Sequence, residues 1–235
     1  MNIKKYTEIN NFGCGKRMVN IKKLMEKIYI VLSLLFLSGG LFFLFNDPTN
    51  RNVAITSSES NIVVQAVLLF IYLIAIMLIL QKNRNLVFLY REKWIILLLL
   101  LIFISTLWSW VPLLTLRRAI AVTGTILFAF YLGIEYSLEE QLKLIGITYT
   151  LLLLLSLFMI FFIPDIGIFS DFRGEAWQGV FGHKNSFGQN MLIAFWVFLF
   201  VGYTYKNKIA KFMYNILAFT CVIVIFMSKS TTSII

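Results

Sequence analysis

Residues 144–163 read LIGITYTLLLLLSLFMIFFI, a run without a single charged side chain. About 20 residues of helix cross the roughly 30 Å hydrocarbon core of a bilayer, so this run predicts a transmembrane helix. Working outward, we expect seven spans, at residues 28–45, 62–80, 94–111, 119–134, 144–163, 187–205 and 212–227. The fourth is interrupted by Thr123, Gly124 and Thr125, small and hydroxylated residues typical of helix–helix contacts in lipid.

The overall composition excludes a water-soluble globular protein. The chain has 235 residues, of which 60% are hydrophobic and 14% charged, whereas soluble domains are about 45–50% apolar and about 25% charged. Its two cysteines cannot form the disulfide framework of a small secreted domain. The sequence therefore predicts an all-α fold, a polytopic transmembrane helical bundle at residues 28–235 behind a basic lead at residues 1–27.

The positive charges indicate the orientation. Most of the 21 lysines and arginines lie in the lead and in the connections that follow spans two, four and six. The positive-inside rule places that side, and with it the N-terminus, in the cytoplasm. The net charge of +10 is then a topology signal, and nucleic acid is not expected as a partner. The expected partner is the lipid bilayer.

One long connection on the outer side, residues 164–186, carries candidate chemistry. It reads PDIGIFSDFRGEAWQGVFGHKNS. His183 suits proton transfer near neutral pH, Arg173 and Lys184 suit phosphate, and the aromatic rings of Phe172, Trp177 and Phe181 suit a sugar face. Asn185 completes the candidate binding set. The alternative is a solvated loop that collects glycines, charges and interfacial aromatics. One histidine without cysteine partners does not predict a metal site.

A second segment, Trp108–Arg118, reads WSWVPLLTLRR. Pro112 ends the third span, and Arg117 and Arg118 are expected to open the fourth from the outer side. Guanidinium groups at a helix N-terminus attract an anionic head group such as pyrophosphate. The alternative is that both arginines are interfacial anchors whose charged ends extend to water.

Three segments together resemble the O-antigen ligase/polymerase superfamily, and more narrowly its exopolysaccharide polymerases. Residues 177–188 (WQGVFGHKNSFG) resemble the G-x-F-x-H-K-N-x-x-G signature of that family. Residues 108–118 are similar to its W-S-x-x-P-x-x-T/S-L-R-R segment, and residues 228–233 (SKSTTS) to its S-x-S-[RK]-T-S segment. Thr231 departs from the last pattern, which has arginine or lysine at that position. The resemblance covers roughly residue 95 to the end.

The resemblance implies a glycosyltransferase in the bacterial cytoplasmic membrane. Such an enzyme transfers or polymerises glycan from an undecaprenyl-pyrophosphate carrier onto an acceptor saccharide at the outer face, without cofactor or metal. Arg117 and Arg118 would then hold the pyrophosphate, and His183 would be the proton acceptor or hydrogen-bond donor. Lys184 and Asn185 would orient the glycan, whereas Arg173 matches no position of the family pattern and stays a candidate on local chemistry alone. Trp177 stays a candidate as a flat face for a sugar ring.

Two alternatives remain at the level of the sequence. A transporter of polysaccharide or lipid-linked sugar needs ionisable groups inside its spans, and the predicted spans contain none near their centres. A non-catalytic membrane partner of other polysaccharide-assembly proteins is the second. Family members are longer, and the chain ends shortly after Ser228 in a polar stub, so a truncated enzyme, active or inactive alone, is also expected.

Overall fold

The computed structural model describes residues 21–44, 62–81, 93–171 and 174–230. Its helices are α1 (residues 21–37), α2 (Ile62–Gln81), α3 (Lys93–Ile104), α4 (Pro112–Glu135), α5 (Leu138–Phe162), the single turn α6 (Pro164–Gly167), α7 (Lys184–Thr204) and α8 (Lys208–Met227). Two strands, β1 (Ile168–Asp171) and β2 (Gly174–Trp177), form an antiparallel hairpin, and 3-10 turns lie at Phe42–Leu44 and Ser105–Trp108. The chain forms two compact units, residues 1–44 with 142–235, and residues 45–141.

The predicted all-α class is confirmed. Among the described helices, five are long and apolar enough to cross a membrane: α2, α4, α5, α7 and α8. The predicted spans at 94–111 and 28–45 correspond to the shorter apolar segment Lys93–Trp108 and to α1. The predicted number of seven spans and the cytoplasmic N-terminus stay predictions.

Helix α1 starts and ends earlier than the hydropathy of the sequence predicts. It occupies residues 21–37 instead of 28–45. Gly39 ends it with a left-handed backbone (φ +80°), and its N–H donates to the Phe36 carbonyl at 3.0 Å. Glycine adopts this conformation without steric cost. Gly40 follows in contact with Leu152 of α5, where a Cβ would overlap that side chain.

The unit of residues 1–44 and 142–235 has one continuous hydrophobic core. Helices α1, α5, α7 and α8 contribute to it, and so does the end of the α6–α7 connection. Its fully buried members include Leu152, Phe187, Met191, Phe198 and Cys221. Because residues from the connection are part of this core, the hairpin end of the unit is fixed against the helices.

In the unit of residues 45–141, α2 packs against α4 at the interruption of the fourth predicted span. The ring of Tyr72 lies so close to Gly124 that a Cβ there would overlap it. The Tyr72 hydroxyl is hydrogen-bonded to Thr125 Oγ1 at 3.0 Å. The structure thus confirms that the small and hydroxylated residues serve a helix–helix contact.

Helix α4 begins at Pro112, seven residues before the predicted start of the fourth span. Proline is suited to the first helical position because it has no N–H to leave unpaired. Ser109 Oγ is 2.6 Å from Thr115 Oγ1 and accepts from the Val111 N–H at 3.2 Å. The serine, proline and threonine of the W-S-x-x-P-x-x-T segment therefore shape one turn, the entry into α4.

Candidate functional site at the hairpin

The predicted outer loop, residues 164–186, contains a hairpin with two distinct faces. Phe169 pairs with Ala176 and Asp171 with Gly174, whereas Ile168 pairs with Trp177 and Ser170 with Glu175. Because side chains alternate along a strand, the first two pairs share one face and the last two share the other. We call the face that carries Phe169, Gly174 and Ala176 the hairpin face. Strand β2 packs against α7 and α8.

The chain after β2 folds back onto the helices through Gln178 and Gly179. Both backbone N–H groups donate to the Gly167 carbonyl, at 2.9 and 3.0 Å. The buried Gln178 side chain donates from Nε2 to the Ile166 carbonyl at 2.9 Å. Gly179 has φ +56°, and a Cβ there would lie 2.6 Å from the Cβ of Ser156. This close approach of the chain to α5 fixes the position of the segment that leads to His183.

His183 is the N-cap of α7. Its Nδ1 accepts a hydrogen bond from the Asn185 backbone N–H at 3.1 Å. Its ring centroid is 5.4 Å from that of Phe169 on the hairpin face. A neutral imidazole that accepts at Nδ1 carries its proton at Nε2, so the half-buried ring presents a donor toward its surroundings. Of the two predicted roles, this geometry favours hydrogen-bond donation over proton acceptance.

Lys184 is the first residue of α7 and lies against the same aromatic ring. Its Nζ is 5.2 Å from the ring centroid of Phe169, a cation–π distance. The next residue, Asn185, supplies the backbone N–H that His183 caps. The H-K-N segment therefore places an imidazole and an ammonium side by side on the hairpin face, at a helix end that favours anions.

A second cation, Lys229, approaches the hairpin face from the end of α8. It follows the C-cap residue Ser228 and has a left-handed backbone (φ 47°). A Cβ built on Gly174 would lie 3.9 Å from Lys229 Nζ. From the sequence, Lys229 is one of the cations on the predicted outer side, which run against the positive-inside rule, but no role in the site is predicted for it.

The aromatic residues of the loop differ in their availability. Phe181 is only 4% exposed and is part of the helix core, so the prediction that it offers a face to a sugar is wrong. Trp177 packs edge to face against Phe161, with ring centroids 5.8 Å apart, and lies on the face opposite to Phe169. Its role in binding stays a prediction. Phe172 and Arg173 lie outside the described residues.

Arg117 and Arg118 belong to the other unit, residues 45–141. Both are exposed, but α4 begins five residues earlier, at Pro112. The prediction that they lie at the helix N-terminus is therefore wrong, since the first turn of α4, with its unpaired N–H groups, precedes them. Their predicted binding of pyrophosphate does not depend on the helix end and stays a prediction.

At the other end of α5, Glu140 has a structural explanation. Glu140 Oε2 accepts from Ser137 N and Oγ at 3.1 and 3.0 Å, and Ser137 Oγ accepts from Glu140 N at 3.4 Å. This reciprocal arrangement is a capping box at the start of α5, which gives Glu140 a structural role. Within the described ranges, no group of three or more His, Cys, Asp and Glu side chains could hold a metal ion.

The fold defines the class of this chain as a multi-pass helical membrane protein. Comparison with family models, with curated proteins and with solved structures finds no match. The hairpin face and the three sequence segments are therefore the features that bear on function.

Proposed function

We propose that the chain is a membrane glycosyltransferase of polysaccharide biosynthesis, a member of the O-antigen ligase/polymerase superfamily. One observation carries the proposal. Two of the three segments that resemble this family, HKN at residues 183–185 and SKS at residues 228–230, are far apart in the chain but meet at one hairpin face. The contacts of His183 and Lys184 with Phe169, and of Lys229 with Gly174, give these segments a common location.

The chemistry of this face suits a pyrophosphate leaving group. In the proposed reaction an acceptor hydroxyl attacks the anomeric carbon of the lipid-linked glycan. The new glycosidic bond forms as the bond to the phosphate oxygen breaks, and the proton of the hydroxyl passes to water or to the released pyrophosphate. Donors aimed at the developing negative charge contribute the most to such a step. His183 Nε2–H and the Lys184 ammonium are groups of this kind.

We also propose where the reaction takes place and which molecules take part in it. The hairpin end lies at the outer face of a bacterial cytoplasmic membrane, where an undecaprenyl-pyrophosphate carrier presents its phosphates beside the lipid surface. The acceptor is a second saccharide, lipid-linked or free. Arg117 and Arg118 bind the carrier in the same reaction, as the resemblance implies.

Variants of His183 separate a chemical role from a purely structural one. Serine caps a helix about as well as any residue, so His183→Ser keeps the cap and removes the imidazole. His183→Ala removes both, and loses about 1 kcal/mol of stability as a cap deletion does. In a deletion strain, we expect His183→Ser to abolish polymer while the protein stays abundant in the membrane.

The matched control is Lys206→Gln, which removes an exposed cation from the α7–α8 connection and leaves polymer formation unchanged. Arg117→Gln is expected to act as His183→Ser does. If His183→Ser forms polymer of normal amount and length, the imidazole only caps α7, and the proposed function loses the residue on which it depends most.

A further inference from the structure

We infer that Lys229 and Lys184 form a two-cation clamp for the pyrophosphate of the lipid carrier, with the hairpin face between them. This inference rests on the proposed function and deepens it, because the resemblance assigns no role to Lys229. The clamp brings together the start of α7 and the end of α8, which are separated along the chain by the lengths of both helices.

The backbone directs Lys229 toward the hairpin. It is the one non-glycine residue with a positive φ among those the structure describes, and this conformation is unfavourable for a residue that has a Cβ. Its N–H donates to the Phe226 carbonyl at 3.1 Å, and the flanking Ser228 and Ser230 are fully buried. The two serines anchor the turn, and the lysine between them is exposed with its ammonium at Gly174.

Gly174 lies beside this ammonium on the hairpin face. It too has a positive φ (+97°), and the position of its absent Cβ is 3.9 Å from Lys229 Nζ. On the same face, Lys184 Nζ lies over Phe169. The pairs Phe169–Ala176 and Asp171–Gly174 are two residues apart along the strands, which corresponds to roughly 7 Å. The two places where the ammonium groups approach the hairpin are therefore about this far apart along the strands, a spacing that lets each lysine bind one of the two phosphates of a pyrophosphate.

The common explanation for lysines at a membrane surface does not fit this pair. Cations that set orientation accumulate on the cytoplasmic side, whereas Lys184 and Lys229 lie on the predicted outer side, where inner-leaflet anionic lipid offers no attraction. Lysine binds phosphate as a point charge, and the exposed Lys229 can follow the leaving group as its charge grows.

The test measures carrier binding by the whole chain in phosphatidylcholine nanodiscs, with native mass spectrometry as the readout. The probes are undecaprenyl pyrophosphate and the neutral alcohol undecaprenol. Lys229→Asn removes the charge but keeps a residue that tolerates the left-handed backbone, and Lys229→Arg keeps the charge. Lys206→Asn is the control. A charged hydrogen bond corresponds to roughly a tenfold to hundredfold change in affinity.

We expect the wild-type chain to prefer the pyrophosphate, Lys229→Asn to bind it at least about tenfold more weakly, and Lys229→Arg and Lys206→Asn to bind within about threefold of wild type. If Lys229→Asn binds as tightly as wild type while the preference for pyrophosphate persists, the clamp is wrong and the proposed function stands. If the wild-type chain shows no preference, the proposed function fails as well. If equimolar phosphatidylglycerol displaces the carrier, the site binds anionic head groups in general, and the proposed clamp is wrong.

Discussion

Replacement of Gly179 by alanine tests whether the hairpin end is held against the helices as described. The residue has φ +56°, and a left-handed backbone costs about 1–2 kcal/mol for a residue with a Cβ. The new methyl group would also lie 2.6 Å from Ser156 Cβ and 2.9 Å from Phe187 Cε2. Both neighbours are fully buried, so they cannot move aside, and overpacking of this kind costs about 1–3 kcal/mol.

Together these effects predict that Gly179→Ala lowers the free energy of unfolding by about 2–5 kcal/mol. The assay is reversible unfolding in mixed micelles of increasing dodecyl sulfate content, followed by tryptophan fluorescence. Gly182→Ala is the matched control three residues along the same segment, because no atom lies within 4 Å of its added methyl group. We expect the control to stay within about 0.5 kcal/mol of wild type. Equal stabilities of the two variants would refute the close approach of this segment to α5.

Three further results are expected. Tyr72→Phe removes the hydrogen bond to Thr125 and lowers the free energy of unfolding by about 0.6 kcal/mol; a double-mutant cycle with Thr125→Val that shows no coupling would contradict the contact. Ser137→Ala opens the capping box of α5 and costs about 1 kcal/mol in the same unfolding assay, and an unchanged stability would contradict it. In a cysteine-free background, Glu175→Cys is labelled by an impermeant maleimide added outside and Asn207→Cys is protected; the reverse labelling would overturn the predicted orientation.

The helical class was predictable because its signal is local. Long apolar runs without charge leave the helix as the main way to satisfy backbone groups in lipid. The contact of Tyr72 with Gly124 and Thr125 could be expected in kind, since small and hydroxylated residues mark helix contacts in lipid. Helix ends were less predictable. Hydropathy contains no information on backbone conformation. It therefore does not predict the left-handed Gly39 that ends α1, or the turn of Ser109 and Thr115 that lets Pro112 begin a helix.

The candidate site was predictable in its composition but not in its arrangement. The sequence shows that His183 can donate or accept, whereas its role as N-cap depends on where α7 begins. The burial of Phe181 follows from a fold-back that Gly167 and Gly179 permit through contacts with α5, and the contact of Gly179 with Ser156 joins residues that are distant in sequence. Lys229 is close to Gly174 only because two helices, α7 and α8, return the chain to the same end. Contacts between residues this far apart in the chain leave no pattern in the neighbouring sequence.

Glycan transfer by the purified chain tests the proposed function directly, with the chain in nanodiscs and undecaprenyl-pyrophosphate-linked oligosaccharide as the donor. We expect one undecaprenyl pyrophosphate to be released for each glycosidic bond formed. We also expect His183→Ser to slow this release by roughly a hundredfold or more, as loss of one donor to a developing oxyanion does. Release at the wild-type rate by His183→Ser, or no release by the wild-type chain with a donor bound at the hairpin face, would contradict the proposed function.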